Sequence, residues 1–343
     1  MWPKISVLIP TLNAGAVLEN CLSSVKKQNY PKEQIEIVIA DGGSTDATLD
    51  IAGKYDARVV ENKLKTGEAG KMAALRASNG EFVALVDSDN ILPDETWLQE
   101  MVKPLLNHAE AVGSEPWRYT WRKEDGFIDR YCALIGMNDP LCHFLGNYDR
   151  INELTGRWTD VPHEEQDMGV YLLVKFDSRG LPTIGANGTV FRSSFLKSEI
   201  KGDYLFDIDI LAQKLARDGE VNFIKVKNGI IHNFCGSDVS KFSRKQKRRI
   251  KDFLYHSSRK DRNYTWTSKG FLSTNLLGQL KFVLYCVTVV PLLLQSIFGY
   301  FKKRDKSWFF HIPACEITLF QYSVGYISGI FKKEQIDRKE WRQ

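Results

Sequence analysis

Two aspartates one residue apart, Asp87 and Asp89, close the apolar run at residues 82–86. Successive side chains at the end of a strand diverge, so one carboxylate can address a sugar hydroxyl while the other takes a metal ion. A divalent cation suits such a pair when the leaving group is a nucleoside diphosphate, whose charge must be neutralised before it departs. Oxygen ligation from carboxylate and diphosphate points to Mn2+ or Mg2+. A lone D-x-D is weak, because exposed aspartates often simply end strands. A second feature lies upstream in Asp41-Gly42-Gly43-Ser44-Thr45-Asp46, which reads as a strand end, a tight glycine turn and the start of a helix. Capping accounts for Ser44, Thr45 and Asp46. It does not account for Asp41, which stands where a base or ribose can be read. No G-x-G-x-x-G follows the first strand and no G-x-x-x-x-G-K-[ST] occurs anywhere, which argues against a dinucleotide oxidoreductase and a P-loop ATPase.

The elements that must hold these residues alternate in type. Strand patterns at 5–10, 35–40, 58–60, 82–86 and 109–113 are separated by helical patterns at 16–28, 45–55, 68–78 and 94–107. That alternation predicts an α/β fold with a doubly wound, mostly parallel sheet, whose ligands bind beyond the carboxyl ends of the strands. Thr11, Asn13, Asp41, Asp87 and Asp89 all fall there. Residues 115–166 are irregular and aromatic, the pattern of an acceptor-side insertion. Regularity resumes with strands at 171–176 and 221–226, a glycine-rich turn at 184–188 and a helix at 208–217.

Four segments, Val7-Leu8-Ile9-Pro10-Thr11-Leu12-Asn13, the Asp41–Asp46 turn, Gly70-Lys71-Met72-Ala73-Ala74-Leu75 and Asp87-Ser88-Asp89, resemble in order and spacing family 2 of the inverting glycosyltransferases. The resemblance covers residues 4–113 well and implies a GT-A fold. It implies that Thr11 and Asp41 contact the base of a nucleoside-diphosphate sugar, Asp87 the ribose or sugar, and Asp89 the metal, with Lys71 near the nucleotide. Downstream, residues 184–192, which include Asn187 and Gly188, look like the family's glycine-rich loop before the acceptor site. Phe206-Asp207-Ile208-Asp209-Ile210 stands where the family has Glu-Asp-x-Asp-Leu. Aligning the aspartates makes Asp207 the catalytic base, with Asp209 the alternative because Phe206 replaces the usual glutamate; both aspartates also suit a helix N-terminus. The resemblance implies a metal or diphosphate role for His232. Gln246-Lys247-Arg248-Arg249-Ile250 resembles the Q-x-x-R-W motif of processive members, with Gln246 and Arg249 on the acceptor or diphosphate side and Ile250 in place of tryptophan.

The remainder of the chain speaks to location. Net charge is only +5, but residues 241–251 hold seven basic side chains and no acidic one. This suits a basic amphipathic helix on anionic lipid; nucleic acid binding is the disfavoured reading. Residues 282–301 carry no charge for twenty positions, which as one helix would be about 30 Å long, and 308–331 is a second apolar stretch. Two hydrophobic membrane-associated helices are therefore expected. The basic clusters at 302–306 and at Lys332-Lys333 favour helices that lie in or dip into the cytoplasmic leaflet over a two-span hairpin, with Pro291 and Pro313 permitting the bend. The cysteines form no C-x-x-C pair, and no signal peptide pattern precedes the first strand, so the catalytic region is expected at the cell membrane facing the cytoplasm. The sequons at Asn187 and Asn263 read as chance.

The expected layout is a donor half at 1–115, an acceptor and base half at 116–240, a basic interface segment at 241–270 and a hydrophobic tail at 271–343. The expected reaction moves a sugar from a nucleoside-diphosphate sugar to a lipid-linked saccharide. A polyprenyl-phosphate sugar synthase is the alternative, set back by the 118 positions between Asp89 and Asp207, which leave room for a dedicated acceptor region. A nucleotidyltransferase would need basic residues near Thr11, and none occurs at 11–15.

Overall fold

A computed structural model describes residues 2–200, 202–258 and 272–331. Asn263, Lys332-Lys333 and the later part of the expected interface segment lie outside the described residues. The chain forms two compact units. The first comprises Met1–Thr120, His163–Ser178 and Ile184–His232; the second comprises Trp121–Pro162, Arg179–Thr183 and Asn233–Gln343. These units cross the boundaries expected at 115, 240 and 270.

In the first unit β1 (Ile5–Thr11), β2 (Ile35–Asp41), β3 (Arg58–Glu61) and β4 (Phe82–Leu85) run parallel in the order β3-β2-β1-β4. Their connections are α1 (Leu18–Lys26), α2 (Thr48–Lys54) and α3 (Gly67–Ala77). β1 and β4 are buried almost throughout, as strands covered on both faces must be. After β5 (Asn90–Ile91) and α4 (Trp97–Asn107) comes β6 (Gly113–Tyr119). The second unit takes α5 (Phe127–Ile135) and α6 (Leu141–Leu145). The first resumes with β7 (Glu164–Asp167), β8 (Tyr171–Phe176), β9 (Thr189–Arg192), α7 (Ser193–Glu199), α8 (Asp207–Asp218) and β10 (Val221–His232). The sheet continues β4-β9-β6-β10-β8-β7, with β9 antiparallel to both β4 and β6.

The strand expected at 109–113 is displaced to Gly113–Tyr119. Its sequence hid it, because Glu115 looks like a surface residue. In the fold Glu115 Oε2 accepts from Lys225 Nζ at 2.5 Å, and both side chains are fully buried. A charge pair inside a sheet erases the alternation by which strands are read.

The second unit contains α9 (Val239–Ser258), α10 (Leu272–Thr288), α11 (Val290–Lys302) and α12 (His311–Phe331). The uncharged run at 282–301 is not one helix: α10 and α11 meet at 93°. Val289 at the corner has φ +59, and Pro291 sits in the first turn of α11, where its missing N–H costs nothing. Pro313 produces no bend; it lies in the first turn of α12, which continues to Phe331. Among the described residues no single helix is long and apolar enough to cross a membrane, whereas the bent pair passes on length and composition.

α9 does not lie free on its apolar face. Phe242, Gln246 and Ile250 are buried in the unit, and a Cβ on Gly325 of α12 would stand 2.7 Å from Ile250. Ile250, the residue in the place of a stacking tryptophan, is thus consumed in helix packing. The tail helices are tied to the rest of the unit by buried polar contacts. Tyr131 Oη and His311 Nδ1 are 2.8 Å apart, His311 Nε2 and Gln295 Oε1 3.0 Å, and Gln295 Nε2 and His143 Nε2 3.0 Å. All six cysteines are buried, and none is in a disulfide.

Candidate functional site

The site is assembled at the carboxyl ends of β1, β2 and β4. Asp41 closes β2, and its carboxylate is used by its own turn: Oδ1 accepts from Thr11 Oγ1 at 3.0 Å and Ser44 Oγ at 2.5 Å. Oδ2 accepts from the amides of Gly43 and Ser44, each at 2.8 Å. Asn13, at φ +52, joins the same loops: its amide donates to Ser44 Oγ at 2.8 Å and its Oδ1 accepts from Thr45 N at 2.9 Å. Thr11, Asn13 and Asp41 therefore shape the turn pair, and Asp41, with four donors on two oxygens, is explained without a ligand. Capping is also corrected. α2 starts at Thr48 and not at Thr45, and Asp46 is the residue whose Oδ1 accepts from Thr48 N, at 3.0 Å.

Lys71 lies on α3, whose N-cap is Thr66, its hydroxyl accepting from Ala69 N at 3.1 Å. A Cβ on Gly70 would stand 2.8 Å from Pro10, so glycine lets α3 press against the end of β1. The segment leading into α8 is anchored to the same helix by Leu205 N donating to Glu68 O at 3.0 Å. Together these contacts bring Lys71 Nζ to 3.4 Å from Asp207 Oδ2, with both side chains 8% exposed. Asp207 Oδ1 is buried with no hydrogen-bond partner. Asp209 is buried in the same turn, but Asp207 is the aspartate paired with Lys71. Neither is the N-cap of α8, which is Phe206 and makes no side-chain cap bond.

The electrostatics of this cluster are uneven. Burial pushes Asp207 up to about 6; Lys71 opposes that rise, while Asp87 and Glu68 add to it. Burial also raises Asp87, against the pull of Lys71 and His232 and with the push of Asp89 and Glu68. Burial alone would lower Lys71, but Asp207, Asp87 and Glu68 hold it above its ordinary value. The result is a fixed ammonium among carboxylates, one of which titrates near neutrality.

The D-x-D turn is held by Asn90, fully buried, whose Oδ1 accepts from Asp87 N at 3.0 Å. β10 carries an irregularity between Val226 and Gly229 and then pairs with β5, setting His232 opposite Asn90. His232 Nε2 consequently stands 3.4 Å from Asp89 Oδ1. The glycine-rich loop reaches the same place: Gly188 N donates to Leu85 O at 2.9 Å. Asn187 Oδ1 accepts from Asn90 Nδ2 at 3.1 Å, and its Nδ2 donates to Tyr119 Oη at 3.1 Å. The Tyr119 ring packs on His232 with centroids 5.4 Å apart. Sequence reading missed Glu68, Asn90 and Tyr119. Of these, only Asn90, three residues after Asp87, carries a local signal, that of an asparagine in a turn.

Asp41, Thr11 and Asn13 thus form one group, and Lys71, Asp87, Asp207, Asp89, His232 and Asn187 a second. Gln246 and Arg249 belong to the other unit. Gln246 Nε2 donates to Asn138 O at 2.8 Å, and Arg249 Nη1 donates to Gln246 Oε1 at 2.7 Å. Among the described residues no three His, Cys, Asp or Glu side chains converge on one metal position. Asp89 and His232 supply one carboxylate and one imidazole.

Residues 6–159 match the family model described as glycosyl transferase family 2, and the chain carries a domain of that family. Among curated relatives, the poly(ribitol-phosphate) beta-N-acetylglucosaminyltransferase TarS of Staphylococcus aureus is 39% identical over 99 residues, 27% of this chain and 17% of that protein. Glycosyltransferase AglE of Haloferax volcanii is 29% identical over 141 residues, 39% of this chain and 46% of that protein. The chain spans less than half the length of these relatives. A mannosyltransferase from Pyrobaculum calidifontis, solved in complex with GDP-Man and Mn2+, superposes with a TM-score of 0.52 at 16% identity, covering 97% of this chain and 89% of that one. It shares the fold, a mixed α/β arrangement on a mostly parallel central sheet of the GT-A type.

Proposed function

We propose that the protein transfers a sugar from a nucleoside-diphosphate sugar to a hydroxyl of a lipid-linked saccharide, inverting the anomeric centre, at the cytoplasmic face of a membrane. The observation that carries this reading is the buried Lys71–Asp207 pair. A carboxylate with one unpartnered buried oxygen, titrating at about 6, is placed to take a proton near neutral pH. Asp207 accepts the proton of the acceptor hydroxyl as that oxygen attacks. Lys71 keeps Asp207 ionised enough to act, and Asp87 faces the ribose or donor sugar. Thr11, Asn13 and Asp41 form the loop pair that receives the nucleotide. Asn187 and Gly188 line the acceptor side of the diphosphate.

Asp89 and His232 fit a divalent ion, Mn2+ or Mg2+. Two protein ligands leave the remaining positions to diphosphate oxygens and water, the way such ions are held with substrate phosphates. When bound, the ion supplies charge neutralisation for the departing nucleoside diphosphate. The Mn2+ and GDP-Man in the Pyrobaculum calidifontis complex support this choice of partners.

Membrane attachment is supported by the apolar side chains that α10, α11 and α12 expose, among them Leu277 (66%), Val287 (73%), Leu294 (61%) and Phe301 (71%). Soluble monomers rarely show such a contiguous surface. The 93° corner suits helices that enter one leaflet and return. The test is a screen of nucleotide sugars for metal-dependent release of nucleoside diphosphate. Wild type should turn over at least one donor, and folded Asp89→Ala should not. Equal turnover by Asp89→Ala would remove the donor-site assignment.

A further inference from the structure

The second unit contains a recess of about 590 Å³ that none of the assignments above uses. Its walls are largely apolar, including Phe253, Phe282, Leu319 and Ile327, and one cationic side chain, Arg249, lines it. The size and the lining, apolar with few polar groups, are those of a small-molecule site. Two details define the occupant. The recess is bordered by helices that are otherwise exposed and apolar: Leu280 and Leu284 flank its Val283, and Val324 and Tyr326 adjoin its Ser323 and Ile327. A hydrocarbon chain can therefore pass from lipid into the recess without crossing water. Arg249 is held in place through Nη1, which donates to Gln246 Oε1 at 2.7 Å and Asn138 O at 3.3 Å. Its charge is steadied by Asp139, 3.8 Å away, whose carboxylate accepts from Tyr322 Oη at 2.5 Å. Arg249 also hydrogen-bonds Tyr322 in the lining, and its planar guanidinium gives the recess a cationic group of the kind that pairs with phosphate. Arg244, Lys247 and Arg248 on the same helix are exposed, adding a cationic field.

We propose that this recess binds the acceptor lipid itself, holding the hydrocarbon chain of a polyprenyl phosphate or diphosphate with its phosphate at Arg249. The inference rests on the lipid-acceptor reading above and extends it to a site. It also separates two roles within the unit. The exposed faces of α10 and α11 hold the membrane, and the recess selects one lipid from it.

The test uses full-length protein and a benzophenone-tagged farnesyl phosphate, photolysed with and without phosphatidylcholine vesicles, with the adducts mapped by mass spectrometry. Adducts should map to residues 249–257, 279–283 and 319–327. Untagged farnesyl phosphate should compete, while dioleoylphosphatidylglycerol and inorganic phosphate should not. Ser257→Trp, whose hydroxyl is already buried in the lining, places an indole in the recess and should cut labelling about ten-fold. Arg249→Gln should bring farnesyl phosphate down to the level of farnesol. If Arg249→Gln fails to fold by circular dichroism, Ser257→Trp still decides the matter. Adducts confined to Leu284 and Leu294 would overturn the proposal, as would labelling unchanged in folded Ser257→Trp. Equal competition by phosphatidylglycerol would assign the recess to bulk lipid and overturn it too. Labelling without vesicles keeps the result distinct from membrane attachment, and no step depends on donor turnover, so failure here and failure of the transfer chemistry are told apart.

Discussion

Replacing Lys71 with methionine isolates the electrostatic work done on Asp207. The two charges stand 3.4 Å apart with both side chains 8% exposed. At an effective dielectric constant near 20, such a pair is worth roughly 5 kcal/mol, between three and four pKa units at 1.36 kcal/mol each. Part of this returns when Lys71 is lost, because Asp87 and Glu68, which also face Lys71, then hold protons more readily and repel Asp207 less. A net rise of about two units is the conservative expectation. Asp207 would move from about 6 in the wild type to about 8 in the variant.

A general base works only when deprotonated, so activity rises with pH through its pKa. At pH 7 a base of pKa 6 is about 90% ready and one of pKa 8 about 10%. Lys71→Met should therefore lose about ten-fold in kcat at pH 7 from protonation alone, and recover much of it by pH 9. The assay is release of nucleoside diphosphate from pH 5 to 9.5 at saturating donor. Lys71→Arg, which keeps the charge, should hold the acid limb near its wild-type position. An acid limb that stays at about 6 or moves down in Lys71→Met would refute the idea that Lys71 tunes Asp207. A uniform loss at every pH would instead make Lys71 a ligand for the nucleotide alone.

Asp207→Asn should lower transfer by about 10² or more and also stabilise the fold. The carboxyl is raised from 3.8 to about 6, so its charged form costs about 3 kcal/mol above pH 6, a cost that fades as pH falls from 6 to about 4. The variant should therefore melt above wild type at pH 8 and level with it at pH 4; a gap that grows on acidification would refute the sign. Removing one partner of the buried Glu115–Lys225 pair should cost about 3–5 kcal/mol in urea unfolding, while Glu115→Met with Lys225→Met should cost much less. Equal cost for the double variant would mean that the pair is favourable in its own right. Arg304, exposed after α11, gives the topology test: in intact cells Arg304→Cys should resist an impermeant thiol reagent, and labelling from outside would exclude helices confined to the cytoplasmic leaflet.

What the sequence discloses and what it conceals divide along a physical line. β1 and β4 at the start are legible because they are buried on both faces, so burial writes an unbroken apolar run. β6 is illegible because Glu115 and Lys225, 110 positions apart, cancel each other's charge in the interior and leave two polar letters where a core reads as apolar. The corner between α10 and α11 is only half legible: Pro291 marks where a bend is permitted, but the apolar composition is uniform across residues 282–301 and it is the backbone at Val289 that departs from helix. The site shows the same division. Asp87 and Asp89 announce themselves by spacing, but His232 reaches them through a strand irregularity and a two-residue strand that no periodicity marks. Asp41 illustrates the limit of local reading: an acid before two glycines has the same sequence whether it binds a ribose or folds its own turn, and only the four hydrogen bonds on its oxygens distinguish the two. Asp207 is the sharper case. Phe206 stands where the family carries an acid, so the motif alone leaves two aspartates in contention. What separates them is Lys71, 136 positions away, which meets Asp207 because Gly70 lets α3 approach β1 and Leu205 ties α8 to α3. The aspartate proposed as the base is therefore singled out by how two helices pack, through a glycine and a backbone hydrogen bond and not through the motif that contains it.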